Sequence, residues 1–138
     1  MYKKILIALD GSDGSWRALA AAVGLARTFG AELHAIAVEG HLVADDETMD
    51  EVDEQKAEKD AYFTGVCDEA VHYAADHGVV LHAAMVMGDA GREVVRHAGE
   101  GQFDLLVLGA SRTHHILHIG STEAKVVDHS PCSVMVVR

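Results

Sequence analysis

The sequence predicts one doubly wound, Rossmann-like α/β domain spanning residues 1–138, a five-stranded parallel sheet with helices on both faces. Three observations carry this expectation. Five short aliphatic runs alternate with segments of helical periodicity. The runs are continuously apolar, as strands buried on both faces of a parallel sheet require. Clusters of Gly, Asp and Ser punctuate the boundaries. With right-handed crossovers, the order β-α-β-α-β-α-β-α-β closes into one parallel sheet.

Each element has its own signal. Lys4 to Asp10 (KILIALD) is the first strand, and the Asp10-Gly-Ser-Asp-Gly-Ser run after it offers Ser12 or Asp13 as an N-cap. Trp16, Leu19, Ala20, Val23 and Ala26 then recur at helical spacing until Gly30 supplies a stop. Glu32 to Val38 (ELHAIAV) is the second strand, and Glu39 to Thr48 is a polar connection. Phe63, Val66, Cys67, Ala70 and Ala74 mark one face of a long second helix ending near Gly78. The acids ahead of that stripe, Asp45, Asp46, Glu47, Asp50, Glu51, Asp53 and Glu54, read as a solvated face that complements the helix's positive end.

Val79 to Val86 is the third strand, Gly88-Asp-Ala-Gly a turn, Arg92 to Ala98 a short third helix, and Asp104 to Leu108 the fourth strand. The last helix runs from about Ser121 to Asp128. His129-Ser130-Pro131 closes it, because the residue before a proline resists αR geometry. Cys132 to Val137 is the fifth strand.

Composition excludes several classes of function. A formal net charge of −11 argues against nucleic acid, whose affinity comes mostly from Lys and Arg displacing counterions. The ten histidines would bring that charge to −1 if all were protonated, so association or solubility is expected to respond to pH near 6.5. No apolar stretch approaches the roughly 18 to 20 residues needed to span a bilayer. Cys67 and Cys132 form no pairing or metal motif, and MYKKILIALD carries no signal-peptide pattern, so the expected compartment is the cytoplasm.

The stretch from Gly109 to Ser121 is laid out as an anion site. An apolar strand ends on one glycine and a helix opens at another, Gly120, so that backbone N–H groups and the helix dipole face one crevice. Taken with KKILIALDGS at the start, GDAGREVVRHAGEGQFDLLVLG in the middle and GSTEAKVVDHSPCSVMVV at the end, the whole chain resembles the universal stress protein family.

That resemblance implies an adenine-nucleotide site for ATP, ADP or AMP, with Mg²⁺ as a companion ion. In ATP-binding members a motif G-x2-G-x9-G, followed by Ser or Thr, wraps the ribose and phosphates. Gly109 matches the first glycine, and Gly120, Ser121 and Thr122 match the close. Arg112 stands where the second glycine belongs, and seven residues, not nine, separate it from Gly120. The loss of two residues removes up to about 7 Å of reach. Arg112 lacks glycine's φ freedom but offers charge-assisted hydrogen bonds to a phosphate. Asp10 matches the acid facing the ribose or a phosphate-bound Mg²⁺, and is equally suited to a turn. Val38 matches an adenine-contacting position, with Ala37 as the other register. Ser121 and Thr122 are also ordinary N-cap residues.

Two further readings remain beside this one. His114 and His118 would share a helical face at i, i+4 and are the candidate metal ligands, although no Cys or carboxylate accompanies them and a solvated histidine cluster with His115 is the plainer reading. No nucleophile elbow, H-E-x-x-H or Walker loop is present, so the expectation is a binding or regulatory protein, with slow ATP hydrolysis through Asp10 as the most the resemblance implies. The alternative is a homodimeric assembly module without nucleotide, and on either reading the expected partner is a second copy of the chain, in a C2 homodimer paired through an edge strand at Ser133 to Val137.

Overall fold

The computed structural model describes residues 1–40, 49–110 and 121–138. Nine elements follow in order: β1 (Lys4–Leu9), α1 (Asp13–Phe29), β2 (Glu32–Glu39), α2 (Met49–Asp76), β3 (Leu81–Met87), α3 (Ala90–Glu100), β4 (Leu105–Gly109), α4 (Ser121–His129) and β5 (Ser133–Val137). The strands form one parallel sheet in the order β3-β2-β1-β4-β5. The expected doubly wound α/β fold is present.

Two apolar layers flank the sheet. On one side Ile5, Ile7, Leu33, Leu105 and Val107 pack with Leu19 and Val23 of α1 and with Val66 and Ala70 of α2. On the other, Leu6, Ile36, Leu106 and Leu108 pack with Val94 and Ala98 of α3 and Val126 of α4. β1 sits at the centre, with Ile5, Leu6 and Ile7 fully buried, so each contributes roughly 1.5–3 kcal/mol by leaving water. Asp104 fastens β4 to this strand by accepting the Lys3 and Lys4 backbone N–H groups at 2.8 and 3.0 Å. Burial works to raise the Asp104 carboxyl, but these donors hold it below the usual carboxylate range.

Helix ends explain where the boundaries depart from the sequence expectation. Ser12 caps α1 by accepting the Ser15 N–H, and Gly30 closes it in the left-handed region at φ 63°. The chain leaves β1 at Leu9, so Asp10 belongs to the turn and not to the strand. The exposed Ala20 is off the buried face of α1, which uses Ala18 and Ala22 instead. At the end of α2, Gly78 takes φ 76° and the Val79 N–H reaches back to the Ala74 carbonyl at 2.9 Å. That helix stop occupies Val79, so β3 starts at Leu81 and not at Val79.

α3 starts at Ala90 instead of Arg92, because Asp89 is its N-cap and accepts the Arg92 N–H at 3.0 Å. It runs to Glu100, where Gln102 at φ 56° and the bond from Phe103 N–H to the Ala98 carbonyl end it. Cys67 is buried and Cys132 half-buried, both as free thiols. Among the described residues no helix is long and apolar enough to cross a membrane.

Candidate functional site

The strand order creates one topological switch point. From β1 the chain winds outward through β2 to β3, whereas β4, on the other side of β1, leads outward to β5. Beyond the carboxyl ends of β1 and β4 the two windings diverge, and such a crevice is where open α/β sheets bind ligands. Asp10 lies just after β1, Gly109 ends β4 and Val38 lies near the end of β2. The fold therefore brings these three predicted residues to one edge of the sheet.

Asp10 is exposed, and its Oδ1 accepts the Ser12 N–H at 2.9 Å and the Ser12 hydroxyl at 2.5 Å. This is the turn role anticipated for it. Among the described residues, Oδ2 has no hydrogen-bond partner. One carboxylate oxygen thus shapes the loop.

Gly109 has a packing reason to be glycine. A Cβ there would overlap the Gly14 carbonyl, and a Cβ on Gly14 would come within 2.6 Å of the Ala110 carbonyl oxygen. The first turn of α1 therefore presses directly on the end of β4, which brings the Asp10 loop beside the departure point of residues 111–120. Of the two register choices on β2, Ala37 is fully buried beside Leu9, while Val38 is half-buried and retains some surface.

Three residues that carried no signal in the sequence join this edge. Tyr62 of α2 donates its hydroxyl to the Asp10 carbonyl at 2.8 Å and closes over Gly11, whose φ is 81°. Arg17 of α1 keeps Nε and Nη2 away from solvent with no hydrogen-bond partner among the described residues, one helical turn from Gly14. Glu39 is only 4% exposed, and its Oε1 lacks a hydrogen-bond partner among the described residues. Burial pushes the Glu39 carboxyl up from its ordinary value, and the facing carboxyl of Asp60 pushes it further, against the pull of Lys56 and Lys59.

Electrostatically this edge is mixed. The positive ends of α1 and α4 and the Arg17 guanidinium favour an anion, while Asp10, Asp13 and any ionised fraction of Glu39 oppose one. Ser121 is the first residue of α4 and Thr122 the second, the latter half-buried. Arg112, His114, His115, His118 and Gly120 lie outside the described residues.

Residues 1–138 match the model of the Universal stress protein family. Universal stress protein YxiE of Bacillus subtilis is 31% identical over 148 aligned residues, covering all of both chains. Universal stress protein UspA from Lactobacillus plantarum superposes with a TM-score of 0.88 at 29% identity, over 99% of this chain and 98% of that one. A universal stress protein in complex with cAMP gives 0.78 at 24% identity, over 99% and 97%. Two more distant chains share the fold. One is an Arabidopsis thaliana protein of that family with AMP bound (TM-score 0.76, 18% identity, 98% and 90% covered). The other, from Archaeoglobus fulgidus, is in complex with dAMP (0.68, 19%, 99% and 98%).

Proposed function

The chain belongs to the universal stress protein family, and from that premise we propose that it binds an adenine nucleotide in the crevice at the carboxyl ends of β1 and β4. The carrying observation is the convergence of Asp10 and Gly109 at the switch point, with the N-terminus of α1 packed between them. The nucleotides named for three proteins of the same fold, cAMP, AMP and dAMP, support this reading.

The residues present fit such a ligand. Asp10 Oδ2 would accept from a ribose hydroxyl, and Val38 would offer an apolar edge to the base. Backbone N–H groups at the start of α4, with Ser121 and Thr122, would face phosphate oxygens. Arg17 adds a cation whose two buried nitrogens want acceptors. A Mg²⁺ ion, where a longer phosphate chain brings one, would be held in part by Asp10 and would screen phosphate charge.

The shortened segment between Gly109 and Gly120 favours a monophosphate, because two fewer residues give less backbone to wrap distal phosphates. Titration calorimetry on protein unfolded and refolded free of nucleotide tests this with AMP, ADP and ATP in Mg²⁺. Micromolar binding that is tightest for AMP is expected. Absence of heat with all three would leave the second reading, a self-associating module, which the half-buried apolar residues Val134, Met135 and Val137 of the edge strand β5 favour.

A further inference from the structure

At the opposite end of the sheet, far from the crevice, the starts of β2 and β3 bring three metal-ligating side chains together. Glu32 and His34 lie two residues apart on β2, so the period-2 geometry of a strand turns both to one face. His82 of β3 is in direct register with His34. One donor atom from each of the three lies within 4.8 Å of the others.

We propose that Glu32, His34 and His82 form a binding site for a borderline divalent metal of the Zn²⁺ type, which ties the edge strand β3 to β2. Two neutral imidazoles and a carboxylate form a donor set that suits Zn²⁺. With metal–ligand bonds of about 2.0–2.1 Å, donors on a tetrahedron stand roughly 3.3–3.4 Å apart. Glu32 Oε2 and His34 Nε2 already stand at 3.5 Å. His82 is exposed, so a small rotation of its ring closes the remaining gap, and water completes the fourth position.

The surroundings hold this arrangement. The His34 ring meets the edge of Phe103 at 5.1 Å and the tilted ring of His82 at 4.8 Å, which limits where its nitrogens point. Its Nε2 is removed from solvent and faces the Glu32 carboxylate. Lys4 is a cation on this face, and its ammonium is engaged by the Gly101 carbonyl at 2.6 Å above the Phe103 ring. The Glu32 carboxylate offsets that charge. His97 stacks against Phe103, with ring centroids 5.9 Å apart, and takes no part in the cluster.

A ligand that binds only the folded state raises the melting temperature by mass action. The test uses the whole chain, first with Co²⁺, whose visible spectrum reports coordination number, and then with Zn²⁺. The expected result is a single four-coordinate Co²⁺ spectrum, displaced by Zn²⁺, with a Zn²⁺-dependent rise in melting temperature. His82→Ala should abolish both signals, and Glu32→Gln should weaken Zn²⁺ at least about 10-fold, in line with the loss of metal-site partners elsewhere.

Both substitutions are at exposed side chains, and an unchanged metal-free melting temperature would establish that each variant folds. The triple variant His114→Ala, His115→Ala and His118→Ala should retain the signals. Binding that survives His82→Ala, or that disappears in the triple variant, would overturn the site, as would the absence of a Co²⁺ spectrum in the parent.

Discussion

Glu39 shows how a residue can sit at a candidate site and still be set mainly by its burial. Its carboxyl is enclosed at the end of β2, faces Asp60 and is held above its ordinary value, first by desolvation. Because the folded state binds the proton more tightly than the unfolded chain, stability falls as pH rises from the unfolded pKa through the folded one. Above that window the buried charge is a standing cost. Glu39→Gln should therefore raise the melting temperature by a few degrees at pH 8 and by less at pH 4. An equal effect at both pH values, followed by calorimetry, would rule out the carboxylate as its source. Glu39 was not legible in the sequence, where it opens a polar connection, because its burial is a matter of tertiary packing and not of local pattern. Asp10 was legible in its turn role: its position after an aliphatic run places it at the turn, where Oδ1 accepts from Ser12.

Among the elements, the strands and the stripe of α2 were legible because each depends on local apolar pattern. Ends were less so. β3 begins at Leu81 because the helix stop at Gly78 takes the Val79 N–H, and α3 ends through Gln102 in a left-handed conformation that a non-glycine residue does not announce. The crossing of α1 over β4 is likewise a tertiary fact. Gly109 reads as a phosphate-loop glycine, whereas its immediate neighbour is the Gly14 backbone. Gly109→Ala must push these two elements apart, and a cost of roughly 1–3 kcal/mol is expected from overpacking, read as a lower denaturant midpoint. A variant as stable as the parent would place the need for glycine in ligand approach alone.

For the whole molecule, the topology and the sheet order decide more than any single motif. The order β3-β2-β1-β4-β5 puts β5 at the edge of the sheet with Val136 37% exposed, in line with the edge strand the sequence led one to expect. If copies of the chain associate there, Val136→Lys should shift sedimentation toward the monomer at micromolar protein, and an unchanged sedimentation coefficient would count against that edge. The same order puts the switch point between β1 and β4, an order the alternation of elements does not determine, although a crevice at the carboxyl ends of the strands was inferable from it. The composition of the crevice was not, since Tyr62, Arg17 and Glu39 come from three separate elements.

The central claim is that an adenine nucleotide occupies that crevice. An NMR titration of the isotope-labelled, nucleotide-free chain with AMP tests it most directly. Saturable amide shifts concentrated at residues 10–15, 37–40 and 109–122 are expected, with the Glu32 and His82 end of the sheet unchanged. Shifts confined to other surfaces, or none at millimolar AMP, would contradict it.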